Sequence, residues 1–165
     1  MKDYTPNRYL PIAWELFHRD TRMLAHKLME MQQSWKGIIA ITRGGLIPSS
    51  IIARELDLRI VDSISVISYD DRTQGKPTVA KDVQKDLVGD GEGWLIVDDL
   101  VDSGVTARLV KGLLPGGHLA TVYAKPEGEP AVDTFAVPVP QNMWLLFPWD
   151  GELQPNEPLA RRGRA

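Results

Sequence analysis

The chain has 165 residues and a formal net charge of −3, which fits one compact domain with its own core and gives no sign of a nucleic-acid-binding surface. It contains no cysteine, so disulfides, thiolate metal sites and cysteine nucleophiles are excluded. No apolar run approaches the length of a membrane span, and the N-terminal segment lacks the apolar stretch of a signal peptide, so we expect a domain of the reducing cytoplasm.

The first part of the chain alternates helical with strand-like patterns. Apolar residues recur at helical spacing over residues 14–31, which predicts a helix. The β-branched run over residues 38–41, bounded by glycines, is typical of a strand buried on both faces. A second helix is predicted over residues 47–58, where Pro48 suits the first turn, and a second strand over residues 63–69.

The remaining elements follow a polar, glycine-rich stretch. Residues 70–93 predict a long loop or a protruding hairpin. A third strand (94–97), a helix (106–114) and a fourth strand (119–124) come next. A short fifth strand (135–139) contains a proline and is therefore expected at a sheet edge. Strands alternating with helices predict an α/β fold with a mainly parallel sheet, in which ligands bind beyond the carboxyl ends of the strands.

The segment LIVDDLVDSGVT, residues 95–106, carries three carboxylates and a hydroxyl-rich turn at such a strand end. Backbone N–H groups over residues 103–106, at the start of a helix, suit a phosphate. Asp98 and Asp99 would repel that phosphate and suit sugar hydroxyls, or Mg²⁺ that bridges to oxygens. The segment therefore predicts a ribose 5-phosphate site. The alternative is a strand end capped by Asp before a helix, but packing gives no reason for three clustered acids.

Other segments offer candidates that are weaker when taken alone. In TRGGLIP, Arg43 beside two glycines could bind an anion, or the segment could be only a turn. Lys125 ends the fourth strand and could contact a carbonyl or a phosphate, or could be a solvated lysine before a turn. Trp144 or Trp149 could stack on a flat ligand or belong to the core.

Taken in this order, the segments TRGG, ISYD, GDGEGWLIVDDLVDSG, AKPEG and PQNMWLLFPWD resemble the type I phosphoribosyltransferases. The likeness covers residues 14–150, and its C-terminal part resembles the 6-oxopurine members of the family. The resemblance implies the family fold, a mainly parallel twisted sheet flanked by helices, in a single domain. The parts it implies are a core (14–125), a flexible active-site loop (68–93), a hood over the base site (126–150) and a loosely ordered tail (151–165).

The resemblance also implies an activity in purine salvage. The enzyme would transfer the 5-phosphoribosyl group from phosphoribosyl pyrophosphate to N9 of guanine or xanthine, and less readily of hypoxanthine. The products would be GMP, XMP or IMP, together with pyrophosphate, and Mg²⁺ would be required. The family further implies a homotetramer in the cytoplasm, with peripheral association at the cytoplasmic face of the inner membrane.

The same resemblance assigns roles to individual residues. Asp99 would bind the metal, and Asp102 would be the catalytic residue, accepting or donating a proton at purine N7. Lys125 would meet the purine O6, Trp144 would stack on the base, and the Leu145 backbone would receive the substituent at C2. Arg43 and Gly44 would bind pyrophosphate through a cis or otherwise unusual peptide. The residues assigned to phosphoribosyl pyrophosphate are Arg43, Gly44, Lys76, Asp98, Asp99, Leu100, Val101, Asp102, Ser103, Gly104, Val105 and Thr106.

The sequence departs from the family pattern at two places. Gly75 stands where relatives have an arginine in the loop after SYD, with Lys76 next to it and Arg72 before it, so the sequence leaves open which cation, if any, contacts pyrophosphate there. Val105 stands where a second glycine is usual, but its backbone amide remains, so phosphate binding should persist.

Two other classes of protein share parts of the pattern. Some relatives bind phosphoribosyl pyrophosphate as non-catalytic regulators, and these usually carry a DNA-binding segment, of which the sequence has no sign. Receiver domains also have paired aspartates at a strand end, but near the start of the chain.

The basic ending ARRGRA predicts a solvated tail or a local attraction to anionic lipid or a partner chain.

Overall fold

The computed structural model describes residues 8–67, 77–150 and 158–161. The strands are β1 (Arg8–Pro11), β2 (Gly37–Thr42), β3 (Val61–Ile67), β4 (Thr78–Lys81), β5 (Trp94–Val101), β6 (His118–Ala124), β7 (Thr134–Pro138) and β8 (Met143–Leu146). The α-helices are α1 (Trp14–Glu30), α2 (Leu46–Glu55), α3 (Lys85–Val88) and α4 (Val105–Leu113). Short 3-10 helices cover Glu129–Ala131, Pro148–Asp150 and Leu159–Arg161.

A six-stranded sheet lies at the centre, in the order β4-β3-β2-β5-β6-β7. Its strand pairs are parallel except for β3 with β4, which is antiparallel. The predicted mainly parallel sheet is confirmed, and β7 lies at an edge, as Pro138 requires. The strands β1 and β8 form a separate parallel pair.

Both faces of the central strands are buried, which explains why their sequences are continuously apolar. Ile38 and Leu95 face a cluster that also contains Phe17 from α1 and Ile52 from α2. Their neighbours along the strands, of which Ile39 is one, face a second cluster on the opposite side, where α4 packs. Because successive strand residues point to opposite faces, one apolar run serves both clusters. The sheet therefore packs between α1 and α2 on one side and α4 on the other.

Several element boundaries differ from those predicted. Strand β5 continues to Val101 rather than ending at residue 97, because it keeps pairing with β6 through the polar residues at its end. Strand β1 was not predicted, and it forms against β8 from the far end of the chain.

The polar stretch at residues 70–93 contains more structure than an open loop. Strand β4 pairs with β3, so the hairpin alternative describes residues 78–81, and the helix α3 follows. Val83 and Val88 are buried in the second cluster, which explains why this polar segment is held on the body of the protein. The predicted residues Arg72, Gly75 and Lys76 lie outside the described residues.

An aromatic cluster holds the segment after β8 against α1. The Trp149 ring stacks on Phe147 with centroids 4.7 Å apart and meets Phe17 edge-on at 4.9 Å. Trp149 therefore belongs to the core, as the structural alternative for this residue predicted. Within the described parts of the chain, no helix combines the length and apolar character needed to cross a membrane.

Candidate functional site

The predicted site residues meet where parallel strands end side by side. Strand β5 lies between β2 and β6, so their carboxyl ends form one edge of the sheet. The segment after β2 carries Arg43 and Gly44, the end of β5 carries the acidic pair, and β6 leads into Lys125. This is the edge at which α/β proteins bind ligands.

The glycine-rich turn after β2 lies against the acidic pair. A β-carbon added to Gly44 would lie 2.4 Å from Asp99 Cγ, so only glycine leaves the carboxylate in place. The peptide between Thr42 and Arg43 is cis, as the resemblance implied, and the Arg43 side chain is exposed. The predicted pyrophosphate segment and the predicted metal ligand are therefore neighbours.

The acidic pair lies in surroundings that disfavour its negative charge. The Asp99 N–H donates to Asp98 Oδ1 at 2.9 Å. Burial, together with the Asp99 carboxylate beside it, raises the pKa of Asp98 well above its usual range. Burial also raises the pKa of Asp99 to about 6, and the Asp150 carboxylate acts in the same direction. A cation at this place would relieve both effects, because it favours the ionised carboxylates.

A divalent metal fits this pair, provided that the substrate completes its coordination. Mg²⁺ is commonly held by one or two carboxylates together with substrate oxygens and waters rather than by an all-protein cage. Across residues 8–67, 77–150 and 158–161, no three His, Cys, Asp or Glu side chains are grouped so that they could hold a metal alone. Within this part of the chain, the adjacent carboxylates of Asp98 and Asp99 are available as metal donors at this edge.

The turn before α4 has the geometry expected for a phosphate site. Gly104 has a positive φ of 79° and precedes the first turn of α4, where no side chain caps the helix. The backbone N–H groups of Val105 and Thr106 are therefore free of a side-chain cap at the positive end of the helix dipole. The sequence did not predict the contribution of Arg108, whose Nη2 donates to the Ser103 carbonyl at 2.8 Å and so braces the turn.

Asp102 lies at the start of this turn and is held by two donors. Lys125 Nζ contacts Asp102 Oδ2 at 2.8 Å, and Gln141 Nε2 donates to Asp102 Oδ1 at 2.8 Å. Lys125 is only 3% exposed, so its ammonium needs a partner, and the half-exposed Asp102 supplies one. The two residues that the resemblance assigns to the edge of the base are therefore in direct contact.

A backbone hydrogen bond joins the end of β5 to Lys125, one partner of the contact with Asp102. The Lys125 N–H donates to the Val101 carbonyl at 2.9 Å. Val101 is buried in one core cluster and the half-buried Leu100 packs against the other, and the assignment of both residues to phosphoribosyl pyrophosphate stays a prediction. Gln141 was missed in the sequence because its contact with Asp102 joins residues 39 positions apart. The only signal was its place in the PQNMW segment.

The two tryptophans of the C-terminal segment have different environments. Trp144 is 52% exposed, whereas its neighbour Leu145 is buried, as strand alternation requires. The alternative that Trp144 is a core residue is therefore wrong, and that role belongs to Trp149. An exposed indole in β8, three positions after Gln141, is available to a flat ligand.

Comparison with known proteins gives the same family as the sequence motifs. The model of the phosphoribosyl transferase domain family matches residues 13–156. The chain is 52% identical over 155 residues to the xanthine-guanine phosphoribosyltransferase of Desulfotalea psychrophila, with 94% of each chain covered. It is 50% identical over 168 residues to the protein of the same name from Cereibacter sphaeroides, with 99% of each covered.

A solved structure agrees at the level of the fold. The purine phosphoribosyltransferase of Pyrococcus horikoshii matches with a TM-score of 0.70 at 28% identity, covering 86% of this chain and 93% of that one. The family predicted from the motifs is therefore confirmed, and the chain belongs to the phosphoribosyltransferases.

Proposed function

We propose that the enzyme transfers the 5-phosphoribosyl group from phosphoribosyl pyrophosphate to N9 of guanine or xanthine, and less readily of hypoxanthine, in purine salvage. The observation that carries the proposal is the single edge at which an acidic pair, an uncapped helix N-terminus and the Lys125–Asp102 contact meet. Relatives at about half identity over nearly the whole chain are named xanthine-guanine phosphoribosyltransferases, which supports this choice of bases.

The phosphoribosyl part of the site divides among three groups of residues. Asp98 and Asp99 accept hydrogen bonds from the ribose hydroxyls, and the N–H groups over residues 103–106 hold the 5-phosphate. Arg43 and the Gly44 backbone bind the pyrophosphate. Lys76, which follows Gly75 at the position of the family arginine, is proposed as a further pyrophosphate contact on the family resemblance alone. The contact between Gly44 and Asp99 supports this division, because it puts the pyrophosphate segment beside the ribose-binding acids.

Mg²⁺ is the cofactor that the acidic pair fits, with Asp99 as its protein ligand. When bound, it supplies positive charge that offsets the negative charge of the pyrophosphate. The support is electrostatic, since burial disfavours two ionised carboxylates in this place unless a cation accompanies them.

The base is proposed to bind between Lys125, Asp102 and Trp144. The Lys125 ammonium has three N–H groups, and one of them bonds Asp102, so another can donate to the purine O6. Asp102 lies beside it to accept or return the proton at N7. Trp144 stacks on the ring, and the Leu145 backbone meets the substituent at C2. The exposure of Trp144 supports its part in this arrangement.

The chemistry suits these residue types. The bond from C1′ to the pyrophosphate oxygen breaks, the bond from C1′ to N9 forms, and a proton leaves the purine. Positive charge develops at C1′ on the way, and the nearby carboxylates stabilise it. Arg43 stabilises the departing anion in the same manner.

The direct test is the release of pyrophosphate from phosphoribosyl pyrophosphate in the presence of Mg²⁺ and each purine in turn. We expect release with guanine and xanthine, less with hypoxanthine, and none without a base. The non-catalytic regulator is the alternative, and the named relatives do not favour it. Binding of phosphoribosyl pyrophosphate with no base-dependent release would establish that alternative instead.

Assembly and location stay predictions from the family. A homotetramer is proposed on that ground, and sedimentation of the full chain would test it. A cytoplasmic location is proposed likewise. Peripheral association with the cytoplasmic face of the inner membrane is proposed on the family resemblance alone.

A further inference from the structure

We infer that Gln141 is a positioning residue for the transfer reaction, because its side-chain amide holds the Asp102 carboxylate in the orientation that the base requires. The inference rests on the proposed role of Asp102 at the base. It adds a residue that neither the motifs nor the comparisons assign.

The amide of Gln141 can present only one face to Asp102. The Glu127 N–H donates to Gln141 Oε1 at 3.0 Å, so the carbonyl oxygen of the amide is engaged. The NH₂ group therefore points to Asp102 Oδ1, at 2.8 Å. Turning the amide over would face its NH₂ toward the Glu127 N–H and its oxygen toward the carboxylate, which loses both hydrogen bonds.

Gln141 and Lys125 together fix the plane of the carboxylate. Lys125 contacts Oδ2 and Gln141 contacts Oδ1, so each oxygen of Asp102 receives one donor. The terminal torsion of an aspartate is broad, and one donor alone leaves the carboxylate free to turn. Each oxygen accepts more than one hydrogen bond, so both keep capacity for the base.

The backbone that carries the Glu127 N–H is itself fixed against Asp102. A β-carbon added to Gly128 would lie 2.6 Å from the Asp102 carbonyl oxygen, so the two backbones are in close contact. The Gly128 N–H also donates to the Lys125 carbonyl at 2.9 Å, which closes the turn. The turn after β6, Gln141 and Asp102 consequently form one hydrogen-bonded unit.

This unit joins the two sides of the proposed site. Gln141 lies in the turn that leads into β8, and β8 carries Trp144 and Leu145. Asp102 lies at the start of the turn before α4 that is proposed to bind the 5-phosphate. Together with Lys125, Gln141 therefore sets the position of the Asp102 carboxylate relative to both the stacking surface and the phosphate turn.

The test compares two substitutions of Gln141 with a neighbouring control. Gln141→Met keeps the length of the side chain but donates nothing, so kcat should fall about tenfold while the KM for phosphoribosyl pyrophosphate changes little. Gln141→Glu keeps the size and can still accept from the Glu127 N–H, but it places a carboxylate against Asp102. We expect it to be slower than Gln141→Met. Asn142→Ala alters an exposed neighbour in the same turn and should behave as the unaltered enzyme.

The ranking of the two variants separates positioning from packing. A residue that only fills space would tolerate glutamate, which has the same shape, better than methionine. Turnover by Gln141→Glu that equals or exceeds that of Gln141→Met would therefore overturn the inference. As a second measure, Gln141→Met should cost much less in an Asp102→Asn background, because Gln141 acts through Asp102. Equal cost in both backgrounds would also overturn it.

The kinetics of the unaltered enzyme and of the single variants distinguish failure of the proposed function from failure of the inference about Gln141. No base-dependent turnover in the unaltered enzyme would refute the proposed function, and the inference with it. Turnover that is strong in the unaltered enzyme, weakened by Asp102→Asn and unaffected by Gln141→Met would refute the inference alone.

Discussion

Gly44 lies so close to the Asp99 carboxylate that a β-carbon there would be 2.4 Å from Asp99 Cγ. A methyl group must therefore displace the carboxylate, the turn, or both. The absence of a side chain at Gly44 therefore allows the proposed pyrophosphate segment to lie this close to the proposed metal ligand.

Gly44→Ala should consequently damage catalysis more than folding. We expect kcat/KM for phosphoribosyl pyrophosphate to fall by about a hundredfold or more, because small misplacements of reacting groups are costly. Steady-state kinetics at saturating guanine measure it. Gly112→Ala is the matched control, since a β-carbon at Gly112 meets nothing within 4 Å. It should keep full activity and gain about 0.5–1 kcal/mol of stability in the helix. Similar kinetics for the two variants would contradict the proposed role of Gly44.

Lys125→Met tests the base side of the site. The substitution leaves the Asp102 carboxylate with Gln141 as its remaining side-chain donor and removes the group proposed to meet O6. Loss of a hydrogen bond from a charged donor costs about 1.5–3 kcal/mol, so the KM for guanine should rise at least tenfold. The KM for phosphoribosyl pyrophosphate should change much less. A rise in the KM for phosphoribosyl pyrophosphate alone would show that Lys125 contacts the phosphates rather than the base.

The sequence predicts the parts of the fold that local patterns encode. The apolar runs at residues 38–41 and 94–97 identify buried parallel strands, because both faces of each strand pack. The acidic pair and the hydroxyl-rich turn predict a phosphoribosyl site, because packing gives no reason for clustered carboxylates at a strand end.

The parts that depend on distant contacts could not be predicted in the same way. Strand β1 pairs with β8 at the other end of the chain, and four residues contain too little pattern to show it. Gln141 and Arg108 are ordinary polar residues until the fold brings each to a carboxylate or carbonyl near the site. Strand β5 extends through Asp98 and Asp99 because pairing with β6 outweighs the low strand propensity of aspartate.

Trp144→Ala should impair base binding and leave stability almost unchanged, whereas Trp149→Ala should lower the stability of the fold. Trp144 is 52% exposed, so its loss should raise the KM for guanine more than that for phosphoribosyl pyrophosphate and leave the unfolding midpoint almost unchanged. Trp149 stacks on Phe147 at 4.7 Å, so its loss should destabilise the protein by about 3 kcal/mol. Urea unfolding and steady-state kinetics on both variants measure this. Equal increases in the two KM values for Trp144→Ala would remove it from the base site.

The raised pKa values of the acidic pair predict how stability depends on pH in the absence of metal. The pKa of Asp99 rises from 3.8 to about 6, so between these values the folded protein binds more protons than the unfolded chain. The free energy of unfolding should therefore decrease as the pH rises from 4 to 6, and Asp98 acts in the same direction. Asp62 and Asp133 have lowered pKa values, so their opposite effect falls below the ordinary value of 3.8. Burial lowers the pKa of His118, so its opposite effect falls below 6.5 and inside this range, and the comparison with Asp99→Asn isolates the acidic pair.

Urea unfolding between pH 4 and pH 7 measures this decrease, and Asp99→Asn should make it smaller because asparagine does not titrate. The same variant at pH 7 should be at least as stable as the unaltered protein, since it no longer buries a charge. Mg²⁺ with phosphoribosyl pyrophosphate should bind more weakly as the pH falls through 6, because the carboxylates must release protons to bind the metal. An unchanged pH slope in Asp99→Asn would show that the decrease arises at other carboxylates.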